Sequence, residues 1–310
     1  MSATIVVGSD GSAPSRSALR WAVERATTLE MRVLLCHVLD DNKVEPEEIE
    51  ATALEYLESE AILARSSAPD ANVSCSVHVG RPIAVLTELA RNADLLVVGT
   101  HKTGFIQGRA FGSRFAGLVS SIETPVAYIP DLTGSYRRGV VAGINLSPTG
   151  RSVTRFAAAE AARFGETLTL IGVWGAEESG PPRTELPHHR TSQAQVEDAL
   201  EGAALLAARH HPHLNIRTRI LRRSVADALV DASSNARLLV IGHAAAPTRA
   251  PTVHDVLLNL SSPTVVVHPD LDATPATICA QVDLDQAASP APVRGAGAVE
   301  RRESIEELHP

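Results

Sequence analysis

Short apolar runs alternate with longer segments in which apolar residues recur every three or four positions. In the first part of the chain, apolar runs at residues 4–7, 33–39, 95–98 and 126–129 and an alternating run at 73–79 predict five strands. The segments between them predict helices, and the first, residues 13–30, has Ser12 or Ser15 available as its N-cap. Strands made almost entirely of Val, Ile and Leu are typical of a sheet buried on both faces. The alternation therefore predicts a parallel sheet covered by helices.

The same pattern occurs twice. The stretch "IVVGSDGSAPSRSALRWA" aligns without a gap on "VVAGINLSPTGRSVTRFA", so that Gly8 matches Gly143. Later, "ARNADLLVVGTHK" resembles "ASSNARLLVIGHAA", which matches Gly99 with Gly242. The second set of apolar runs predicts strands near 139–144, 167–173, 214–221, 238–242 and 264–268. The chain is therefore interpreted as an internal duplication.

Composition predicts how the chain is divided. We expect one domain at residues 1–132 and a second at 137–271, with the short linker "DLTGSYRRG" between their last and first strands. Residues 272–310 are rich in Ala, Pro and charge and lack a sustained apolar period. This composition predicts a disordered C-terminal tail.

Charge and cysteine content narrow the class of protein. The 310 residues carry a net charge of −8, and no basic patch stands out, which disfavours a nucleic-acid partner. Cys36, Cys75 and Cys279 form no CxxC pair, and the first two lie in strand-like runs where a reduced thiol packs as an apolar group. No apolar stretch approaches the roughly 20 residues of a membrane span. We therefore expect a cytoplasmic protein with no membrane association.

A glycine-rich segment follows the fourth predicted strand and is the clearest candidate site. In "VVGTHKTGFIQGRAFGS" a strand leads into Gly99 and later into Gly112 and Ser113. Ligands of parallel sheets collect at the carboxyl ends of the strands, and a Gly-Ser pair opening a helix offers N–H groups and a hydroxyl to a phosphate. The alternative is that Gly112 only eases a turn and Ser113 only caps the helix that follows.

Together these features resemble the universal stress protein family, and specifically its tandem two-domain members, over residues 3–270. Nucleotide-binding members of that family carry Gly-x2-Gly-x9-Gly-[Ser/Thr] after the fourth strand. Here the frame is Gly99, then Lys102 in place of the second glycine, then Gly112 and Ser113. The stretches "VVGSDGS", "HVLD" and "GRP" fit the family as well.

The resemblance implies an α/β fold of two tandem Rossmann-like domains, each of the adenine nucleotide alpha hydrolase-like type with five parallel strands in the order 3-2-1-4-5 flanked by helices. It also implies that the last strands, "VAYIP" and "TVVVHP", pair across a pseudo-twofold axis. The chain would then be an intramolecular pseudo-dimer that is also able to form a homodimer.

By the same resemblance the first copy looks like an ATP site, with or without Mg²⁺. Asp10 would lie at the ribose or the adenine, and the backbone of Val38 would face the base. Gly99, Gly112 and Ser113 would hold the ribose and the phosphates. A role for Asp10 in ribose binding can also be inferred without the resemblance, because a carboxylate at the end of the first strand can accept hydrogen bonds from ribose hydroxyls. The alternative is that Asp10 caps the following helix.

Lys102 is the departure from the family pattern. If this position requires a positive φ, a lysine costs roughly 1–2 kcal/mol relative to glycine, and its side chain competes with the phosphate for space. If the backbone shifts instead, the ammonium adds a charge-assisted contact to the phosphates. His101 and Arg114 could help in the same way; the alternative is that each is simply an exposed side chain.

The second copy departs further from the pattern. Asn145 replaces the aspartate, and a gapless count places Asp255 and Val256 where Gly-Ser should stand. A carboxylate about 4 Å from a phosphate charge is unfavourable by roughly 4 kcal/mol at an effective dielectric constant of about 20. We therefore predict that the second copy binds no nucleotide and completes a pseudo-dimer with the first.

Other classes of function are disfavoured. There is no Walker A sequence, no G-x-G-x-x-G opening the first helix and no G-x-S-x-G elbow, and "PHHR" and "RHHPH" lack convincing metal-ligand spacing. We expect no enzyme beyond a slow ATPase. The leading hypothesis is an ATP-binding stress-response sensor or switch with an unknown protein partner; the alternative is a scaffold that binds no nucleotide and works through protein contacts.

Overall fold

The computed structural model describes eight stretches of the chain: residues 3–40, 46–100, 118–119, 121–131, 136–147, 149–174, 192–243 and 251–269. Four of the predicted site residues lie outside them, namely Lys102, Gly112, Ser113 and Arg114. The predicted tail at 272–310 also lies outside. These remain predictions.

The first copy alternates strands with helices, as its hydrophobic pattern predicts. Its elements are β1 (Thr4–Gly8), α1 (Ala13–Leu29), β2 (Arg32–Leu39), α2 (Pro46–Ser67), β3 (Asn72–Val79), α3 (Pro82–Ala90), β4 (Leu95–Thr100) and β5 (Val126–Pro130).

The second copy repeats this order. Its elements are β6 (Val140–Ile144), α4 (Thr149–Phe164), β7 (Leu168–Val173), α5 (Gln193–His210), β8 (Ile216–Leu221), α6 (Val225–Ser233), β9 (Leu238–Gly242), α7 (Pro251–Leu258) and β10 (Thr264–Val267). All ten strands expected from the sequence are present. Within the described ranges, none of the helices combines the length and the apolar composition needed to cross a bilayer.

The ten strands form one sheet in the order β3-β2-β1-β4-β5-β10-β9-β6-β7-β8. Each copy therefore reads 3-2-1-4-5 from its outer edge inward. The copies meet at β5 and β10, which pair antiparallel with Thr264 opposite Tyr128 and Val266 opposite Val126. Every residue of these two strands is buried, so the centre of the sheet is also the centre of the core.

The sheet separates two apolar layers. Along β1, Ile5 and Val7 face one layer and Val6 faces the other, because side chains alternate across a strand. Helices α1, α2, α4 and α5 cover the first layer, and α3, α6 and α7 cover the second. Both faces of the inner strands are thereby removed from water, as near-continuous apolar strands require.

A buried ion pair joins the two copies in the first layer. Arg25 of α1 donates to the carboxylate of Glu160 of α4, and both side chains are almost fully buried. Arg163 reaches the other carboxylate oxygen at 3.0 Å. The Arg25 guanidinium also lies over the rings of Trp21 and Phe156, at 5.8 and 5.5 Å from their centroids.

Candidate functional site

The three described site residues of the first copy lie where three neighbouring strands end. Gly8 pairs with Cys36 on β2 and with Val98 on β4. Asp10 and Val38 lie two residues beyond Gly8 and Cys36, and Gly99 directly follows Val98. The topology therefore brings Asp10, Val38 and Gly99 to the carboxyl ends of neighbouring strands, as the sequence predicts.

Asp10 lies on a tight turn between β1 and α1. Its Oδ1 accepts a hydrogen bond from the N–H of Ser12 at 3.0 Å, and Ser12 Oγ accepts one from the N–H of Ser15 at 3.3 Å. Ser12 is therefore the N-cap of α1, and the alternative that Asp10 caps this helix is wrong. Asp10 itself is exposed.

The turn keeps the Asp10 carboxylate ionised. Burial raises the pKa of Asp10, but hydrogen bonds from Ser12 and Ser15 outweigh that effect and lower the pKa below its ordinary value. At neutral pH the Asp10 carboxylate is therefore a charged hydrogen-bond acceptor at the carboxyl end of β1.

Gly11 gives the turn its shape. Its φ is +80°, in the left-handed region that glycine adopts without a steric penalty. A Cβ placed there would lie 3.5 Å from the hydroxyl of Tyr56 on α2, an ordinary contact distance. The conformation, rather than a lack of space, is what requires glycine at this position.

His37 holds the same turn from β2. Its Nδ1 lies 2.6 Å from the carbonyl oxygen of Ser9, and because a carbonyl only accepts, Nδ1 carries the proton. The N–H of Ser9 donates to the carbonyl of Cys36 at 2.8 Å. Sequence reasoning did not single out His37; the available signal was a polar residue near the end of an otherwise apolar strand.

Gly99 is required by packing. A Cβ at this position would lie 2.4 Å from the carbonyl carbon of Pro14 and 2.5 Å from the nitrogen of Ser15, both in the first turn of α1. Gly242 repeats the arrangement, since its Cβ would lie 2.5 Å from Cγ2 of Thr149 on α4. Gly99 is the next-to-last residue of β4 and Gly242 is the last residue of β9, and each is a glycine because a helix start crosses the strand closely there. A role of Gly99 toward a ligand remains a prediction.

The second copy keeps the turn without its charge. Asn145 Oδ1 accepts from the N–H of Ser147 at 3.1 Å and from Ser147 Oγ at 2.7 Å. Leu146 stands where the first copy has Gly11, and its side chain is 52% exposed. The single amide oxygen of Asn145 is therefore already engaged twice by Ser147.

The gapless count that placed Asp255 at the end of the glycine frame is wrong. The N–H of Leu96 donates to the carbonyl of Pro125, and the N–H of Leu239 donates in the same way to the carbonyl of Pro263. From Gly99 to Pro125 the chain advances 26 residues, whereas from Gly242 to Pro263 it advances 21. The second copy is thus five residues shorter in this region.

The helix before the last strand confirms the shifted register. The N–H of Ser121 donates to the carbonyl of Leu118, and the N–H of Asn259 donates to that of Val256, so Val256 corresponds to Leu118. Both side chains are fully buried in the second layer. Asp255, directly before Val256, is therefore an exposed residue within helix α7.

The described residues contain no cluster of three or more His, Cys, Asp or Glu side chains able to hold a metal ion. Cys36 and Cys75 are free, and burial raises the pKa of the Cys36 thiol to about 11.

The duplicated five-stranded parallel sheet, with a Ser-Asp-Gly-Ser turn at the carboxyl end of its first strand, defines a tandem Rossmann-like α/β protein. The model of the universal stress protein family matches residues 1–130 and 137–268. The chain therefore belongs to the universal stress protein family.

The chain is also similar to individual universal stress proteins. A universal stress protein of Mycolicibacterium smegmatis is 26% identical over 260 residues, covering 77% of this chain and 86% of the relative. The crystal structure of a universal stress protein from Archaeoglobus fulgidus has the same fold, with a TM-score of 0.65, 14% identity and coverage of 86% of this chain and 98% of that one. A universal stress protein solved in complex with cAMP matches 42% of this chain and 98% of its own, with 28% identity and a TM-score of 0.34.

Proposed function

We propose that the first copy binds an adenine nucleotide, in the first instance ATP, and that the protein serves as a stress-response sensor or switch. The observation that carries the proposal is Asp10, an exposed and ionised carboxylate on a rigid turn at the carboxyl edge of the sheet. This edge, where the connections from β1 and β4 lead to opposite faces, is where parallel sheets bind their ligands.

Charge decides how the nucleotide would lie. A phosphate about 4 Å from the Asp10 carboxylate would be repelled by roughly 4 kcal/mol at an effective dielectric constant of about 20, whereas a ribose hydroxyl would donate to it. We therefore propose that Asp10 binds the ribose. The half-buried Val38, near the end of the neighbouring strand β2, would contact the base. The phosphates would then extend toward the segment that contains Gly112 and Ser113.

The second copy is proposed not to bind the nucleotide, although the reason differs from the one based on Asp255. Its turn offers a neutral amide in place of a carboxylate, and the oxygen of Asn145 already accepts two hydrogen bonds from Ser147. A ribose hydroxyl would have to displace one of them.

A titration of ATP–Mg into the full chain, followed by calorimetry, tests the proposal. We expect one binding event per chain, weakened at least tenfold by Asp10→Ala. Asn145→Ala is the matched control, because it removes the equivalent side chain from the equivalent turn of the other copy. Retained binding in Asp10→Ala would overturn the assignment of the site.

The same titration separates the switch from the scaffold. A parent protein that gives no heat, together with a Lys102→Gly variant that binds, would mean that the lysine closes a nucleotide site. The scaffold would then be the better hypothesis. The proposal concerns binding and not turnover, and it includes a reducing, cytoplasmic compartment, in keeping with two free thiols on neighbouring strands.

A further inference from the structure

Two histidines end neighbouring strands of the second copy. His243 directly follows β9 and His268 directly follows β10, and the N–H of His243 donates to the carbonyl of Val267 at 2.8 Å. Their rings are in edge contact, with centroids 5.3 Å apart and planes inclined at 60°. In the first copy the corresponding residues are Thr100 and Pro130, so the pair is specific to the second copy.

Both rings have a nitrogen that lacks a partner among the described residues. Nδ1 of His243 and Nε2 of His268 are shielded from solvent and form no hydrogen bond there. The residue His268 is only 7% exposed. Buried polar atoms without a partner are rare in proteins, and a bound water or ion is one of the explanations that such an atom calls for.

The backbone around the pair is fixed by the start of α4. Thr149 Oγ1 donates to the carbonyl of His243 at 3.3 Å, and Ser152 Oγ donates to the carbonyl of Pro269 at 3.2 Å. The backbone that carries the two rings is therefore held by hydrogen bonds from one helix and by the ladder between two parallel strands.

We propose that His243 and His268 together bind a divalent transition-metal ion that prefers imidazole nitrogen, of which Zn²⁺ is the representative. Two imidazoles bound to one tetrahedral Zn²⁺ through bonds of about 2.1 Å have ring centres roughly 5 Å apart, close to the separation of this pair. No third His, Cys, Asp or Glu joins them among the described residues, so solvent would complete the coordination.

The test is a calorimetric titration of Zn²⁺ into the full chain after treatment with a chelator. His243→Thr, which installs the residue of the first copy, and His268→Gln should each weaken the tightest binding event by at least about tenfold, since even the loss of an outer-shell partner costs about 10- to 100-fold. The matched control is the double variant His210→Gln/His211→Gln, which alters another pair of adjacent histidines at the end of α5. It should retain that event.

A second measurement does not depend on how the variants fold. In the parent protein, Cu²⁺ at low stoichiometry should broaden the ring-proton NMR signals of His243 and His268 before those of His210 and His211. Binding that is unchanged in His243→Thr, binding lost in the control, broadening that begins at His210 and His211, or no binding by the parent would each overturn the proposal.

Discussion

Arg25 and Glu160 occupy the same position in the two copies, and they bind each other. The first copy matches the second with an offset of 135 residues along α1 and α4, and this is the separation of the two residues in the chain. They therefore meet at the pseudo-twofold axis. In a symmetric dimer of either copy this contact would place Arg against Arg or Glu against Glu, so the duplicated chain has replaced a self-contact with a complementary one.

We expect the two partners of this pair to differ in what their loss costs. Glu160→Leu leaves two guanidinium groups, those of Arg25 and Arg163, without their shared carboxylate, and should lower the free energy of unfolding by about 3–5 kcal/mol. Arg25→Met should cost less, because Glu160 keeps Arg163 at 3.0 Å. Urea unfolding measures both values. Arg91→Met removes an exposed pair with Glu88 and should change stability by less than about 1 kcal/mol. Equal costs for Glu160→Leu and Arg25→Met would contradict this account.

The ion pair should also make stability depend on pH. Burial raises the pKa of Glu160, but Arg25 and Arg163 outweigh it and the pKa is lowered in the folded state. A lowered pKa contributes stability that is present above the ordinary value of 4.5 and is lost as the pH falls below it. Between about pH 5 and about pH 3 the parent should lose more unfolding free energy than Glu160→Gln, which has no carboxyl to protonate. Parallel pH profiles would show that Glu160 is not the responsible group.

Gly99 should tolerate no side chain. Gly99→Ala would place a methyl carbon 2.4 Å from backbone of Pro14, which cannot move without shifting the start of α1. We expect a loss of about 1–3 kcal/mol in unfolding free energy. Gly202, inside α5 with nothing within 4 Å of its Cβ position, is the control, and Gly202→Ala should gain about 1 kcal/mol. Thermal unfolding of both variants compares them directly.

The end of α1 offers a stabilising change. Glu30 has a φ of +52°, the only non-glycine residue with positive φ among those described, while its counterpart after α4 is Gly165 with a φ of +63°. Glu30→Gly should raise the free energy of unfolding by up to about 1 kcal/mol, because it removes the left-handed penalty. Gly165→Ala should lower it by about 1 kcal/mol, with nothing within 4 Å to complicate the comparison. If both changes have the same sign, conformation at this position is not the cause.

The apolar pattern was sufficient to predict the ten strands, because most strands of this sheet are apolar runs bounded by polar or turn residues, and the outer strands β3 and β8 still combine apolar and polar residues within short segments. The N-cap of α1 could be predicted as either Ser12 or Ser15, because capping depends on residues at the start of the helix itself. The residue of the first copy that Asp255 matches could not be predicted from the sequence, because a gapless count does not detect that the second copy is five residues shorter in this region.

Contacts between segments that are distant in the chain could not be predicted from the sequence either. The approach of Pro14 to Gly99 depends on how α1 crosses the sheet, and the match of Arg25 with Glu160 depends on the two copies meeting at the axis. His37 was missed because its role is to hold a backbone carbonyl of a neighbouring strand. In each case the role of the residue depends on a contact with a residue that is distant in the sequence.

Among the strands that the structure describes, the antiparallel join of β5 to β10 leaves β3 and β8 as the outer ones. An unpaired strand invites pairing with another chain, and proteins discourage this with charged side chains along the edge. β8 carries two exposed arginines, Arg217 and Arg219, on either side of Thr218. Because the join has already used the innermost strand of each copy, growth of the sheet from chain to chain would have to start at an outer strand, and at β8 the positive charge of the two arginines resists it.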